Sequence, residues 1–242
     1  MTRRRSAVRN SLWSRLRRLL GWALLAVVAL TVLPVLGGRW IPPPTSAFML
    51  EKRLARVVRG EPSKGVRTRW TDWNAIAPQM RLAVVAAEDQ KFPRHWGFDF
   101  ESIADAVQRG QARGRLRGAS TITQQVARNL FLWPGRSYAR KGLEAYFTVL
   151  LELFWSKRRI LEVYLNIAEF GEETYGVGAA AQAFFGKRPA ELQLQEAALL
   201  AAVLPNPARL SVRSPSTYVR ERAGWIEEQM AQLGGPAYLR NL

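Results

Sequence analysis

Two acidic positions frame the chemistry open to this chain. Glu88 ends an apolar run, AVVAAE, and is followed at once by Asp89. Glu144 follows Arg140 by four positions and Lys141 by three, so on a helix both cations lie against it. Between Ala106 and Leu143 there is no Asp or Glu, yet Arg109, Arg113, Arg115, Arg117, Arg128, Arg136, Arg140 and Lys141 fall there or at its edge. A solvated helix surface usually mixes both signs of charge. A one-sign interval bracketed by carboxylates suits an acid working beside a bound anion.

Each carboxylate has two readings. A carboxylate leaving an apolar run is partly desolvated, which raises its pKa and suits a general base; the plainer reading of Glu88 is an exposed acid at a helix end. Glu144 is either a surface salt bridge of little energetic worth or a carboxylate held ionised beside cations that clamp a phosphate. Between them, Ser120, Gln124 and Arg128 recur every four residues and share one helix face, with Gln125 beside it. Ile122, Val126 and Leu130 lie on another face, free to pack inward. A hydroxyl, two amides and a guanidinium side by side suit sugar hydroxyls and phosphate oxygens. His95, among aromatics in FPRHWGFD, reads as a structural residue.

Several chemistries are excluded. Cysteine is absent and histidine occurs once, which removes thiolate nucleophiles, disulfides and multi-histidine metal sites. Phe185-Gly186-Lys187 lacks the glycine spacing and the Ser/Thr of a phosphate-binding P-loop. No Ser-x-x-Lys or Lys-Thr-Gly is present, so penicillin-binding transpeptidase chemistry is not encoded.

The elements that must position these residues read as all-helical, with 3.6-residue periodicity and almost no alternation. Helices are expected over 45–59, from Pro78 to Glu88, from Phe100 to Arg109, and from a Ser120 or Thr121 cap to about Leu132. Further helices are expected from Ser137 to about Trp155, after Ser156, over 179–185 and 192–204, and from Ser214-Pro215 to about Leu233. Gln111 to Gly118, rich in Gly and Arg, reads as a mobile loop, and 171–178 as a turn.

The net charge is +17, and eight of the 36 Lys and Arg residues lie in residues 1–42, which contain no acid. Leu19 to Leu36 is uncharged and, at 18 residues, at the lower edge of what can span a bilayer as a helix; a cleaved secretory signal and a buried helix are the competing readings. Seven arginines precede it, which predicts an N-terminus in the cytoplasm and a body across the membrane. The expected organisation is a basic tail (1–18), a transmembrane anchor (19–36), a linker (37–44) and a single catalytic domain (45–242).

Four stretches together resemble the peptidoglycan glycosyltransferases of family 51: EDQKFPRHWGFD (88–99), GASTITQQVARN (118–129), RKGLE (140–144) and KRRILEVYLNIAEFGEETYGVGAAAQAFFGK (157–187). They occur in the family's order and spacing. The resemblance implies a lysozyme-like, all-α domain with a smaller membrane-proximal lobe, and polymerisation of lipid II into β-1,4 glycan strands at the cytoplasmic membrane. It casts Glu88 as general base and Glu144 as the second glutamate, which assists the departing pyrophosphate directly or through a divalent metal, Mg or Mn. Arg128, Arg136, Arg140 and Lys141 match positions that hold pyrophosphate; Ser120, Gln124 and Gln125 match positions that contact donor sugar and phosphate. The family usually has Lys where this chain has Arg128, which keeps the charge and changes the geometry. The implied partners are lipid II, the growing strand, the membrane, and other cell wall synthesis and division proteins; neither nucleotide nor nucleic acid is expected. With no transpeptidase domain before Leu242, cross-linking is expected to fall to another protein. Two rivals stand against this: a lytic enzyme on a similar scaffold, which has no use for a pyrophosphate clamp, and a basic membrane-tethered binder without activity.

Overall fold

The structure, a computed structural model, describes residues 3–60, 67–101, 120–135 and 137–242. The expected helix from Phe100 falls outside these residues beyond Glu101, as do the arginine-rich loop 111–118 and Arg136.

Residues up to Ile41 form one unit and Pro42–Leu242 another. The first is the helix α1, Arg3–Gly38, in which the expected basic tail and apolar segment are one continuous element. Its stretch Arg15–Gly38, 24 residues, is long and apolar enough to cross a membrane. At 1.5 Å per residue it reaches about 36 Å, against about 30 Å of hydrocarbon. Pro34 sits inside the helix without ending it.

The second unit is built from helices whose ends are marked by side chains that satisfy their free N–H groups. These are α2 (Ala47–Arg59, capped by Ser46), α3 (Pro78–Glu88, Pro in the first turn), α4 (Ile122–Phe131, capped by Thr121) and α5 (Tyr138–Phe154, capped by Ser137). There follow α6 (Lys157–Ile167, capped by Ser156), α7 (Val177–Phe185), α8 (Leu194–Val203) and α9 (Thr217–Gln232, capped by Ser216). The last helix opens at Ser216, two residues beyond the expected Ser214-Pro215 start, because Ser216 accepts the Val219 N–H.

The expected turn over 171–178 instead carries part of a small sheet. β2 (Glu169–Gly171) pairs antiparallel with β3 (Thr174–Tyr175), and β1 (Arg67–Thr68) adds in parallel to β3, giving the order β1-β3-β2. Strands of two and three residues are too short to leave an alternating pattern.

The core is built from two groups of packed helices. α3 packs against α8 and α9, and Met80, Leu82, Ala83, Val84, Val85 and Ala86 are all buried. A helix apolar all round belongs inside; α8, rich in alanine, allows the close approach. α4 packs on both α5 and α6.

α2 turns two of its cations inward. Lys52 pairs with Glu169 at 2.6 Å and Arg56 with Glu173 at 2.7 Å, one turn apart on the same face. The opposite face leaves Leu50, Leu54, Val57 and Val58 exposed, Val58 at 85%. With Phe131, Leu132 and Trp133 this face borders an open groove of about 660 Å³.

Candidate active site

Glu88 is the last residue of the buried helix α3, so the core delivers its carboxylate to the surface of the fold. The side chain keeps 16% of its exposure: most of its solvent is gone, yet a substrate can still reach it. Gln125 Nε2 on α4 donates to Oε2 at 2.9 Å. The Tyr164 hydroxyl on α6 donates to Gln125 Oε1 at 3.2 Å, which fixes the amide so that its N–H groups face the carboxylate. Arg222 Nη2 on α9 lies 3.7 Å from Oε1. Burial raises the Glu88 pKa above the usual carboxylate range; the Gln125 hydrogen bond and the charges of Arg222 and Arg128 oppose it, and Asp89 adds to it.

Asp89 turns the other way. Its carboxylate accepts the Ile122 N–H at 2.9 Å, at the first turn of α4, and lies 2.8 and 3.0 Å from His95 Nε2. The preceding residue, the cap of that helix, is anchored too: Thr121 Oγ1 donates to the Gly97 carbonyl at 2.7 Å. Gly97 has φ +74°, and a Cβ there would stand 2.6 Å from Thr148 Cγ2, so the approach needs glycine. His95 is engaged through Nε2 with Asp89.

The face expected from Ser120, Gln124 and Arg128 is only partly open. Thr121, not Ser120, caps α4, and Gln124 completes a capping box: Thr121 Oγ1 accepts the Gln124 N–H and Gln124 Oε1 accepts the Thr121 N–H at 3.0 Å. Gln124 is 5% exposed, and its amide oxygen is committed to the cap. Ser120 is half-buried just ahead of the cap. Gln125 is the amide that reaches a catalytic candidate. Arg128, also half-buried, donates to Asn129 Oδ1 at 3.3 Å, and its charge is felt at Glu88.

The second carboxylate is no surface salt bridge. Glu144 is 2% exposed and Arg140 8%. Arg140 Nη1 donates to Glu144 Oε2 at 3.0 Å, and Lys141 Nζ donates to Oε1. The Thr148 hydroxyl donates to the Glu144 carbonyl at 2.7 Å. Lys141 keeps half its side chain in solvent, and Arg140 Nε is buried without a partner. The cluster thus presents two fixed cations behind a neutralising acid. α4 packs against the helix that carries it and against the one carrying Tyr164, while no side-chain bond joins Glu88 to Glu144 among the described residues.

A divalent metal does not fit Glu144 as it stands. Both its oxygens already face cations, and no group of three His, Cys, Asp or Glu able to hold a metal occurs among the described residues. Divalent ions of this kind are held by several oxygen donors.

Tyr164 and Arg222 were not visible as site residues in sequence. Tyr164 lies in the apolar rhythm of α6 and reads as core; Arg222 sits among mixed charges near Glu221 and gives no signal. Much of the 157–166 stretch is scaffold. Lys157 pairs with Glu152 at 2.7 Å, Glu162 accepts the Trp73 N–H at 2.7 Å, and Asn166 bonds both backbone groups of Thr71.

Fold and site together define a helical domain, preceded in the chain by an apolar helix, that holds two glutamates of different character. Comparison with known proteins gives this class a family. A family model described as Transglycosylase matches residues 53–231. A biosynthetic peptidoglycan transglycosylase of Pseudomonas putida is 54% identical over 229 residues, covering 95% of this chain and 97% of that protein. One of Pseudomonas entomophila (strain L48) is 53% identical over 229 residues, and one of Pseudomonas savastanoi pv. phaseolicola 53% over 220, covering 91% and 93%. The chain belongs to the transglycosylase family, which carries with it the lysozyme-like all-α class expected from sequence.

Proposed function

We propose that this protein is a peptidoglycan glycosyltransferase that polymerises lipid II into β-1,4 glycan strands, with Glu88 as its general base. Glu88 takes the proton of the acceptor sugar's 4-hydroxyl. That oxygen bonds to C1 of the donor chain from the face opposite the leaving group, so the α-linkage becomes β. The C1–O bond to the pyrophosphate breaks, and its electron pair departs on the phosphate oxygen of undecaprenyl pyrophosphate. Arg140 and Lys141, with Arg128, stabilise the charge that develops there. Glu144 fixes those two cations in place and neutralises the site until the anion arrives. No step is assigned to a divalent metal.

The observation that carries this reading is the setting of Glu88: desolvated at the end of a buried helix, gripped on one oxygen by Gln125, with Arg222 3.7 Å from the other and 16% of the side chain still exposed. Family membership supports it, and the relatives bear the name of the reaction. Both substrates are lipid-linked, so an enzyme held at the cytoplasmic membrane by α1, N-terminus inside, meets them where they lie. The arginines ahead of the apolar stretch favour that orientation, and the outward apolar face of α2 suits contact with hydrocarbon.

Incubation of the full-length protein with purified lipid II tests the reading. Polymer should grow with the wild type, and Glu88→Gln should slow growth by about 10²–10⁴-fold with helicity by circular dichroism unchanged. Degradation of mature glycan without polymerisation would reject synthesis in favour of a lytic role.

A further inference from the structure

Arg222 reaches back from the C-terminal helix α9 to the end of α3. Its Nη2 donates to the Ala87 carbonyl at 3.4 Å and stands 3.7 Å from Glu88 Oε1. The first contact alone would be an ordinary use of arginine at a helix C-terminus. The second puts a fixed cation on the one oxygen of Glu88 that Gln125 leaves free.

The remaining groups around Glu88 leave this cation a distinct task. From α4 come Gln125, whose Nε2 donates to Oε2, and Arg128. From α6 comes Tyr164, whose hydroxyl burial pushes well above its ordinary pKa, so it stays protonated as the donor to Gln125. Asp89, next in the chain and tied to His95, adds negative charge. α8 covers α3 with Ala197, Ala198, Leu200 and Ala201 and brings no charge there. Arg128 belongs to the phosphate clamp of the proposed reaction. Once a pyrophosphate fills that clamp, its cations are balanced and can no longer favour an ionised Glu88. Arg222 stands outside the clamp and keeps its charge for the carboxylate.

We propose that Arg222 is a positioning residue for glycosyl transfer: from outside the phosphate clamp it keeps the Glu88 carboxylate ionised, with Oε1 aimed at the acceptor, while the substrate's pyrophosphate is bound. This rests on the reading of Glu88 as the base.

The test is kcat/KM against pH, with lipid II in detergent, for the full-length wild type, Glu88→Gln, Arg222→Gln and Arg222→Lys. Arg222→Gln should move the acid limb upward by about one pH unit or more, with the rate recovering towards wild type above it. Arg222→Lys keeps the charge and should leave the limb in place. A merely structural arginine predicts another pattern: both variants lose the same factor at every pH and the limb does not move, and that result overturns the proposal. Should Arg222→Gln fail to fold by circular dichroism, Arg222→Lys carries the test. An unmoved limb with the plateau kept supports the proposal, and a uniform fall at all pH overturns it. If Glu88→Gln turns over lipid II as the wild type does, the base reading itself fails, whatever Arg222 does.

Discussion

Asp89 accepts the backbone N–H of Ile122 at 2.9 Å, and so ties the residue after the candidate base to the first turn of the helix that carries Gln125. The acidic pair thus divides its labour: one carboxylate faces the cleft, and its neighbour fixes the helix whose amide grips the first.

That relationship predicts that Asp89→Ala is a stability variant with a catalytic consequence. It leaves the Ile122 N–H and the His95 Nε2 without their shared acceptor in a buried place. The loss should be about 1–3 kcal/mol, read as a lowered unfolding temperature in detergent. Turnover of lipid II should also fall in the fraction that remains folded, because Gln125 loses its register. An unchanged melting temperature would remove Asp89 from this role.

Glu88 should show the opposite balance between stability and activity. Its pKa is raised in the folded protein, so between the unfolded and folded values the folded state binds more protons than the unfolded one. Its contribution is fully present below the unfolded pKa and is lost as pH rises through the folded pKa. Glu88→Gln removes a buried charge that costs stability at neutral pH, and should therefore raise the melting temperature at pH 8. At pH 4, below the ordinary glutamate pKa, the group is mostly protonated in both states and the gain should largely disappear. A gain equal at both pH values, or a loss at pH 8, counts against a desolvated Glu88.

Arg140 and Lys141 hold the same carboxylate and should nevertheless behave differently. Arg140 is buried, and Arg140→Ala leaves Glu144 under-compensated inside the fold, a loss of about 3–5 kcal/mol. Lys141 is half exposed, so Lys141→Ala should cost less than about 1 kcal/mol of stability. If its ammonium meets the leaving pyrophosphate, that variant should still lower kcat by about 10²–10³-fold. Chemical denaturation beside turnover separates the two, and a Lys141→Ala enzyme of wild-type rate would exclude the lysine from the clamp.

The site was legible in sequence where a local pattern carried it. Glu88 stands out because an apolar run ends on it, and Glu144 because two cations precede it by three and four residues. Spacing alone could not tell whether the Glu144 cluster was inside or outside, since the same i,i+4 pair serves both. Helical periodicity puts Gln124 on the polar face but carries no sign that the capping box takes up its amide oxygen. Asp89, Tyr164 and Arg222 act through partners distant in the chain, one of them a backbone N–H, and no local pattern encodes that. The fold was easier to read: among the described residues, serine caps and glycine or proline stops marked most helix ends, while strands too short for a period and three short 3-10 turns escaped.

The mounting of α2 has a practical consequence for anyone handling this enzyme. Lys52 and Arg56 are turned onto Glu169 and Glu173, so the far side of the helix shows water its leucines and valines, beside the exposed Glu51, Arg53 and Arg59. Cutting away α1 would therefore not yield a freely soluble catalytic domain. The trimmed protein should still need detergent, and without it should self-associate through α2. A charged residue at Val58, the most exposed of these apolar side chains, is the first change to make when a well-behaved sample is wanted.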